Sequence, residues 1–156
     1  MKLYQLLKYS IAIAVVSLAL CNPLQAKYTP DFITEANCLA TNIYFEARGE
    51  SIKGQLAVAM VTLNRVADVN FPDTVCDVVH EGKRKGKCQF TWYCDHRSDK
   101  IPMNSEEARL AFAIAITAMT APIDDVTSGA LYFHTKPRKH SENVIEIGNH
   151  VFYGGS

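Results

Sequence analysis

The chain has 156 residues, of which 48% are hydrophobic and 21% are charged, and its 16 Lys and Arg balance 16 Asp and Glu. This composition is typical of one globular domain and excludes disorder, collagen-like repeats and coiled coils. The first 26 residues contain Lys2 and Lys8 but no acid, so residues 27–156 carry 14 basic and 16 acidic side chains, a net charge of −2. Because no basic field remains to hold a phosphate backbone, nucleic-acid binding is not expected.

Residues 1–26 have the pattern of an export signal. Their charged start is followed by the apolar stretch Ile11 to Cys21 and by a small-residue cleavage site at Leu24-Gln25-Ala26. The apolar stretch is too short to span a bilayer. We therefore predict a signal peptide over 1–26, a mature domain over 27–156, a periplasmic or envelope location, and no stable membrane insertion after cleavage. A retained anchor is the first alternative, and lipidation, disfavoured by Leu20 at a small-residue position, is the second.

Four cysteines follow this segment, at Cys38, Cys76, Cys88 and Cys94. Thiols pair in an oxidising compartment, and four cysteines permit three connectivities. We favour Cys76–Cys88 with Cys38–Cys94, which closes the local loop first, although the sequence does not decide between the three. A tetrahedral zinc site is the alternative, but paired CxxC spacing is absent.

Hydrophobic periodicity predicts two helices at the start of this domain. In the first, apolar residues recur at 3.6-residue spacing at Ala36, Leu39, Ala40, Ile43 and Ala47. Gly49 breaks this pattern, which predicts a helix end near Arg48. Ser51 is placed to cap a second helix, whose apolar residues fall on both sides, and we expect that helix to be central and buried.

Shorter elements are predicted in the rest of the chain. Phe71-Pro72-Asp73-Thr74 indicates a capped turn before a short helix through Val79, and Glu81 to Lys87 is a charged loop, most simply solvated, with attraction of an anionic polymer as the alternative. Asn104 is predicted to cap a third helix, which Pro122 ends. Strands or extended segments are predicted over Gly129 to His134 and Ile145 to Tyr153. The expected fold class is α+β, with helices first and a small β region toward the C-terminus.

Glu46 is the main candidate for chemistry. On a helical wheel it lies about 20° from Leu39, at the edge of the apolar stripe. Partial burial raises the pKa of a carboxyl group, which suits a general acid working near neutral pH. The structural alternative is a buried Glu paired with Arg48 or Arg65.

Other residues suggest a site for sugars. Glu50 and Asp95 are further carboxylates, and glycoside hydrolysis usually takes two, separated by about 5 Å or 6.5–9.5 Å; an ordinary helix-N-terminal carboxylate is the alternative for Glu50. An aromatic face beside an amide suits a glycan groove. We favour the core for Phe90 and the groove for Trp92. The candidate substrate contacts are Glu50, Gln89, Phe90, Trp92, Tyr132 and His134.

Several segments in a fixed order carry a family resemblance: Cys38-Leu39-Ala40, Ile43 to Glu50, Gly54 to Ala59, Asn64-Arg65-Val66, Phe71-Pro72, Cys88 to Trp92 and Gly129 to Phe133. Together, between Asn37 and Phe152, they resemble the SleB-type cell wall hydrolase family, which includes spore-cortex-lytic enzymes. The resemblance implies a lysozyme-like domain that acts on peptidoglycan glycan strands, with Glu46 as the catalytic acid/base. We expect a monomer without a cofactor or metal.

The resemblance also implies a reaction. The spore enzymes resemble lytic transglycosylases, in which one carboxyl group protonates the leaving oxygen and then takes the proton of the sugar's own 6-hydroxyl. This chain has no separate peptidoglycan-binding repeat and carries four cysteines after the export signal, so cortex specificity is not carried over.

Two other function classes remain open. A zinc-dependent amidase would draw its ligands from His80, His96, His134, His140 and His150, although no HExxH pair is present. A catalytically silent glycan-binding module would use Glu46 only as the partner of an arginine. Sensitivity to a chelator identifies the first class, and binding to sacculi without cleavage identifies the second.

Overall fold

The structure is a computed structural model that describes residues 28–82, 87–135 and 144–154. The predicted signal peptide, the central residues 83–86 of the charged loop and His140 lie outside the described residues. The chain divides into two units, Met1–Ile33 and Thr34–Ser156. In the described part of the first unit, Phe32 N donates to Thr29 Oγ1 at 3.1 Å at the start of a helix. Among the described residues, none of the helices combines the length and the apolar composition of a membrane span.

The described residues form helices first and strands last. The α-helices are α1 (Pro30–Ala47), α2 (Ile52–Ala67), α3 (Val75–Val79) and α4 (Glu106–Thr120), with a 3-10 helix (Thr91–Cys94) between α3 and α4. The strands are β1 (Tyr132–Thr135), β2 (Ile145–Ile147) and β3 (His150–Tyr153). The predicted α+β class is confirmed.

Capping residues explain where the helices begin. Ser51 Oγ accepts a hydrogen bond from Gly54 N at 3.3 Å at the start of α2, as predicted. The predicted cap of α4, Asn104, is wrong by one residue: Ser105 Oγ accepts from Ala108 N at 3.2 Å. A capping oxygen must reach the amide three residues on, and Asn104 lies one position too early for Ala108.

The three strands form one antiparallel sheet in the order β1-β3-β2. β3 pairs with β1 through Thr135 opposite His150, and with β2 through Ile147 opposite His150. The predicted extended segment Ile145 to Tyr153 is therefore a hairpin. Its turn contains Gly148, whose φ of 57° lies in the left-handed region that favours glycine. The hairpin places His150 at the start of the central strand.

Helix α2 lies between two apolar clusters and contacts α3, α4, β1 and β2. On one side Ala59 joins a cluster with residues of α1, α3 and α4. On the other side Val58 and Val61 pack with Ala47 and with Ile147 and Phe152 of the sheet. The prediction of a central, buried helix is confirmed, and this packing fixes the end of α1 relative to the sheet.

The cysteines form disulfides, but the predicted pairing is wrong. The bonds are Cys38–Cys76, with Cα atoms 5.2 Å apart, and Cys88–Cys94, with Cα atoms 5.9 Å apart. Cys38 pairs with Cys76 because α1 packs against the start of α3, where Glu35 Oε2 accepts from Cys76 N at 3.0 Å. Cys88 and Cys94 are only 6 positions apart, so their bond closes a shorter loop than the predicted Cys76–Cys88 bond.

Candidate active site

A cleft of about 370 Å³ brings together the end of α1, the end of α2, the segment before the 3-10 helix, and strands β1 and β3. Its lining is Glu46, Arg65, Gln89, Phe90, Thr91, Tyr132, Phe133, His134, Thr135, His150 and Tyr153. The predicted site residues Glu46, Gln89, Phe90, Tyr132 and His134 therefore meet at one place. Glu50 and Trp92 are not among the lining residues.

Among the described residues that line the cleft, Glu46 is the single carboxylate. It is partly buried in the last turn of α1, next to fully enclosed Ala47. Burial raises the pKa of Glu46 from 4.5 to about 6, and the nearby Arg65 cation opposes this rise. A carboxyl group with this pKa holds its proton in mildly acidic solution and exchanges it readily near neutrality, as general acid/base catalysis requires.

Arg65 holds the cleft walls together from α2. It is only 3% exposed. Its Nε donates to Leu131 O at 2.7 Å, and its Nη2 donates to the side-chain oxygen of Gln89 at 2.7 Å when the amide is oriented by its hydrogen-bond network. The guanidinium thus connects α2 to the residue that precedes β1 and to the segment before the 3-10 helix.

Three aromatic rings enclose the Arg65 guanidinium. Its Cζ lies 5.4 Å from the ring centroid of Phe71, 5.2 Å from that of Phe90 and 5.6 Å from that of Tyr132. Burial lowers the pKa of Arg65, and the neighbouring ionisable groups, Glu46 among them, oppose this change. Arg48 and Arg65 were the two arginines considered as partners of a structural Glu46. Arg65 is the one whose charge lowers the pKa of Glu46. The Cζ of Arg48 lies 4.9 Å from the centroid of the Tyr44 ring.

Trp92 lies in the core, against the prediction that it contributes to the groove. It is 8% exposed. Its ring stacks on Phe45 at 4.8 Å between centroids, and its Nε1 donates to Asn42 Oδ1 at 3.1 Å. The indole N–H therefore has its partner inside the protein and is not available to a ligand. Phe90 is buried as predicted and also forms part of the cleft lining.

Glu50 contacts the β2–β3 turn, although the sequence suggested a substrate contact. Its Oε1 accepts from Asn149 Nδ2 at 2.9 Å and its Oε2 accepts from Asn149 N at 3.3 Å. Asp95, the other candidate carboxylate, accepts from Arg97 N at 2.8 Å in an exposed turn. Neither residue lines the cleft.

Replacing Gly148 by Ala is expected to destabilise the fold. Gly148 has a φ of 57°, and a Cβ built there would overlap Glu50 Oε2. The substitution therefore adds backbone strain to a side-chain clash, and we expect a loss of about 2 kcal/mol in the free energy of unfolding, measured in urea. Gly129→Ala is the control, because its φ of 80° is also positive but a Cβ there meets no atom within 4 Å. Equal losses in the two variants would contradict the Glu50 contact.

An aromatic wall borders the cleft on the sheet. Tyr132 is 39% exposed and stacks on Tyr153 at 5.7 Å between centroids, while His134 lies 5.5 Å from Tyr153. Two residues of the cleft, Arg65 and Tyr153, were not predicted as site residues from the sequence. Arg65 could have been found, because it follows Val58 and Val61 at helical spacing on a buried side of α2, where an unpaired cation is costly.

The Cys88–Cys94 disulfide brackets three cleft residues, Gln89, Phe90 and Thr91. If the cleft binds glycan strands, as the family resemblance implies, replacing both cysteines by Ser should raise the KM for these strands several-fold, because the cleft segment loses its restraint. The replacement should also lower the free energy of unfolding by about 2 kcal/mol, which is a modest loss because the closed loop is short. The control replaces Cys38 and Cys76, which are 38 positions apart and absent from the cleft lining. It should cost more stability, about 4 kcal/mol, with less effect on KM. Steady-state kinetics measure the change in KM, and urea unfolding measures the change in stability. A larger change in KM from the loss of Cys38–Cys76 than from the loss of Cys88–Cys94 would contradict the role of Cys88–Cys94 in shaping the cleft.

The histidines proposed as zinc ligands are dispersed. His134 and His150 line the cleft, His80 stacks on Tyr93, and His140 is outside the described residues. Over residues 28–82, 87–135 and 144–154, no group of three or more His, Cys, Asp or Glu side chains is placed to hold a metal ion.

Comparisons with known proteins give consistent matches. The profile of a family described as Cell Wall Hydrolase matches residues 49–153, a range that begins just after Glu46. A spore cortex-lytic enzyme of Bacillus cereus is 34% identical over 120 residues, which cover 73% of this chain and 42% of that enzyme. The chain thus spans about two fifths of the length of this curated relative.

Solved structures match as well. The catalytic domain of the Bacillus cereus SleB protein is 32% identical with a TM-score of 0.59, over 76% of this chain and 88% of that chain. The catalytic domain of the germination-specific lytic transglycosylase SleB from Bacillus anthracis is 30% identical with a TM-score of 0.60, over 80% of this chain and 95% of that chain. The fold is therefore the lysozyme-like fold of these domains, as expected.

Proposed function

Because this chain belongs to the cell wall hydrolase family, we propose that it cleaves peptidoglycan at the β-1,4 bond between N-acetylmuramic acid and N-acetylglucosamine, with Glu46 as its acid/base. The observation that carries this proposal is the Glu46 carboxyl group, partly buried in a cleft, with its pKa raised to about 6. The names of the similar proteins, spore cortex-lytic enzyme and lytic transglycosylase, support the same reaction class.

The proposed reaction is a lytic transglycosylation that needs one protein carboxyl group. Protonated Glu46 gives its proton to the glycosidic oxygen while the bond from that oxygen to the anomeric carbon breaks. The 6-hydroxyl oxygen of the same muramic acid then bonds to the anomeric carbon, and its proton passes to the Glu46 carboxylate. The acid is regenerated, an anhydro ring forms, and no water is consumed. Hydrolysis usually takes a pair of carboxylates. Among the described residues that line the cleft, Glu46 is the single carboxylate, which favours transglycosylation.

The aromatic wall is the proposed platform for the sugar rings. Tyr132 and Tyr153 line the cleft and stack on each other. Aromatic side chains that line a cleft can pack against the apolar face of a pyranose. The oxygen of the Gln89 amide accepts from Arg65, which leaves the amide nitrogen as a donor for a sugar oxygen. His134 supplies a further polar group beside Tyr153.

Digestion of purified sacculi, followed by mass spectrometry of the soluble products, tests the proposal. We expect anhydro-muropeptides, each lighter by one water than the corresponding reducing muropeptide, in equal amounts with and without a chelator. Reducing muropeptides would show that the bond is cleaved by hydrolysis and not by transglycosylation. Free stem peptides that disappear with the chelator would show an amidase, and binding without products would show a glycan-binding module.

We also propose that the protein is exported to the periplasm as a monomer and that the mature chain begins near Lys27. A substrate outside the cytoplasmic membrane requires export, and the apolar N-terminal segment fits a cleaved signal. Intact-mass measurement of periplasmic material should give the mass of residues 27–156, with no free thiol after unfolding. A chain that retains Met1 to Ala26 would instead be an anchored enzyme.

A further inference from the structure

His150 is a buried cleft residue that the proposed reaction does not use. It is the first residue of β3, it is 4% exposed, and it forms part of the cleft lining. Its Nδ1 is completely buried and makes no hydrogen bond. A buried polar atom without a partner costs about 1–3 kcal/mol, so such an atom in a cleft calls for an explanation.

The Glu50 carboxylate lies close to this nitrogen. Glu50 Oε1 lies 3.8 Å from His150 Nδ1, and the Glu50 side chain is 10% exposed. The carboxylate is held in place because both of its oxygens accept hydrogen bonds from Asn149 in the adjacent turn. Since a carboxylate only accepts hydrogen bonds, it favours the histidine tautomer that carries its proton on Nδ1.

We propose that Glu50 and His150 form a positioning pair, in which Glu50 keeps the proton on His150 Nδ1 and leaves Nε2 as the acceptor for a hydroxyl group of the sugar in the cleft. His150 is then a substrate contact, and Glu50 is a positioning residue that acts through it. The inference rests on the proposed function for the identity of the sugar, whereas the tautomer itself is a property of the free protein. It also explains why Glu50 is bound to the turn and absent from the cleft lining.

The surroundings of His150 favour the neutral imidazole that this pair requires. Burial lowers the pKa of His150 below 6.5, Glu50 opposes this change, and His134 on β1 adds to it. The other titratable residues that share the cleft are Glu46, Arg65, Tyr132 and Tyr153. With its pKa below 6.5, His150 is mostly neutral at pH 7, and it becomes a cation without a free acceptor only in more acidic solution.

The tautomer can be measured without any activity. Long-range proton–nitrogen NMR correlations of the His150 ring distinguish a proton on Nδ1 from one on Nε2. We expect the Nδ1–H form in the wild type at pH 7.5, and a mixture of both forms in Glu50→Gln, whose amide can donate as well as accept. Glu146→Gln, an exposed carboxylate of the same hairpin, should leave the tautomer unchanged. An Nε2–H form in the wild type would overturn the proposal even if the protein cleaves peptidoglycan.

Kinetics on soluble glycan strands test the role in the cleft. His150→Phe should lower kcat/KM roughly tenfold through the loss of one hydrogen bond, and His150→Gln, which keeps an acceptor near the Nε2 position, should recover part of it. Because Glu50 acts through His150, Glu50→Gln should lower kcat/KM when His150 is present but not when it is combined with His150→Phe. Protonation of His150 removes the Nε2 acceptor, so we expect kcat/KM to fall on the acid side of its pH profile. This acid limb should disappear in His150→Gln. Additive effects of Glu50→Gln and His150→Phe on kcat/KM would overturn the proposed pair, and so would an acid limb that is unchanged in His150→Gln. An inactive wild type would contradict the proposed function alone.

Discussion

Glu46→Gln is expected to slow the release of muropeptides from sacculi by at least about two orders of magnitude, because the amide keeps the shape of the side chain but cannot transfer the catalytic proton. Glu106→Gln, an exposed residue in the first turn of α4, is the control and should retain full activity. Glu50→Gln should lose much less activity than Glu46→Gln.

The same variant is expected to be more stable than the wild type at pH 7. The pKa of Glu46 is raised from 4.5 to about 6, so the folded state binds this proton more tightly and stability falls as the pH rises from 4.5 through 6. The cost at pH 7 is about 2 kcal/mol at about 1.4 kcal/mol per pH unit. Glu46→Gln removes this cost, so urea unfolding should show the gain at pH 7 and none at pH 4.

Two results would contradict this assignment. Near-normal activity of Glu46→Gln together with an inactive Glu50→Gln would mean that the wrong glutamate of the Glu-Ala-Arg-Gly-Glu motif is assigned. Full activity of both variants would mean that the glycosidic mechanism itself is wrong.

Arg65→Leu is expected to have the largest effect on stability among the single substitutions. It leaves Leu131 O and the Gln89 amide without their donor, and removal of one partner from a buried charged network costs about 3–5 kcal/mol. Loss of the cation should also raise the pKa of Glu46 further, because the Arg65 charge lowers it. Thermal unfolding and an NMR titration of the Glu46 carboxyl group measure the two effects.

Arg48→Leu is the matched control for Arg65. Arg48 is exposed and lies over the Tyr44 ring, so its loss should cost less than about 1 kcal/mol. Arg65→Lys should give an intermediate result, since it keeps the charge but not the fork of donors. An Arg65→Leu variant as stable as Arg48→Leu would contradict the structural role assigned to the guanidinium.

The helices and the candidate acid could be predicted from local sequence. The 3.6-residue pattern and the cap at Ser51 are short-range signals, and they gave α1, α2 and the position of Glu46 at the stripe edge. The central position of α2 followed from apolar residues on both of its sides. In each case the determining contacts lie within a few residues along the chain, which is why the pattern was sufficient.

Tertiary contacts explain what the sequence did not predict. Cys38 and Cys76 are brought together by the packing of α1 on α3, which no spacing rule contains. Trp92 is buried because Asn42, which is 50 positions away, accepts its N–H. His150 reaches the cleft because a two-residue turn starts β3 at this position.

The pH dependence of kcat/KM for cleavage of soluble glycan strands tests the central claim most directly, because this ratio reports the ionisation of groups in the free enzyme. If Glu46 is the general acid, kcat/KM must fall as the pH rises through the Glu46 pKa of about 6. We predict an alkaline limb with its midpoint near that value and a decline of about tenfold per pH unit above it. A profile that stays flat from about pH 5 to about pH 8 would contradict the assignment of Glu46 as the catalytic acid.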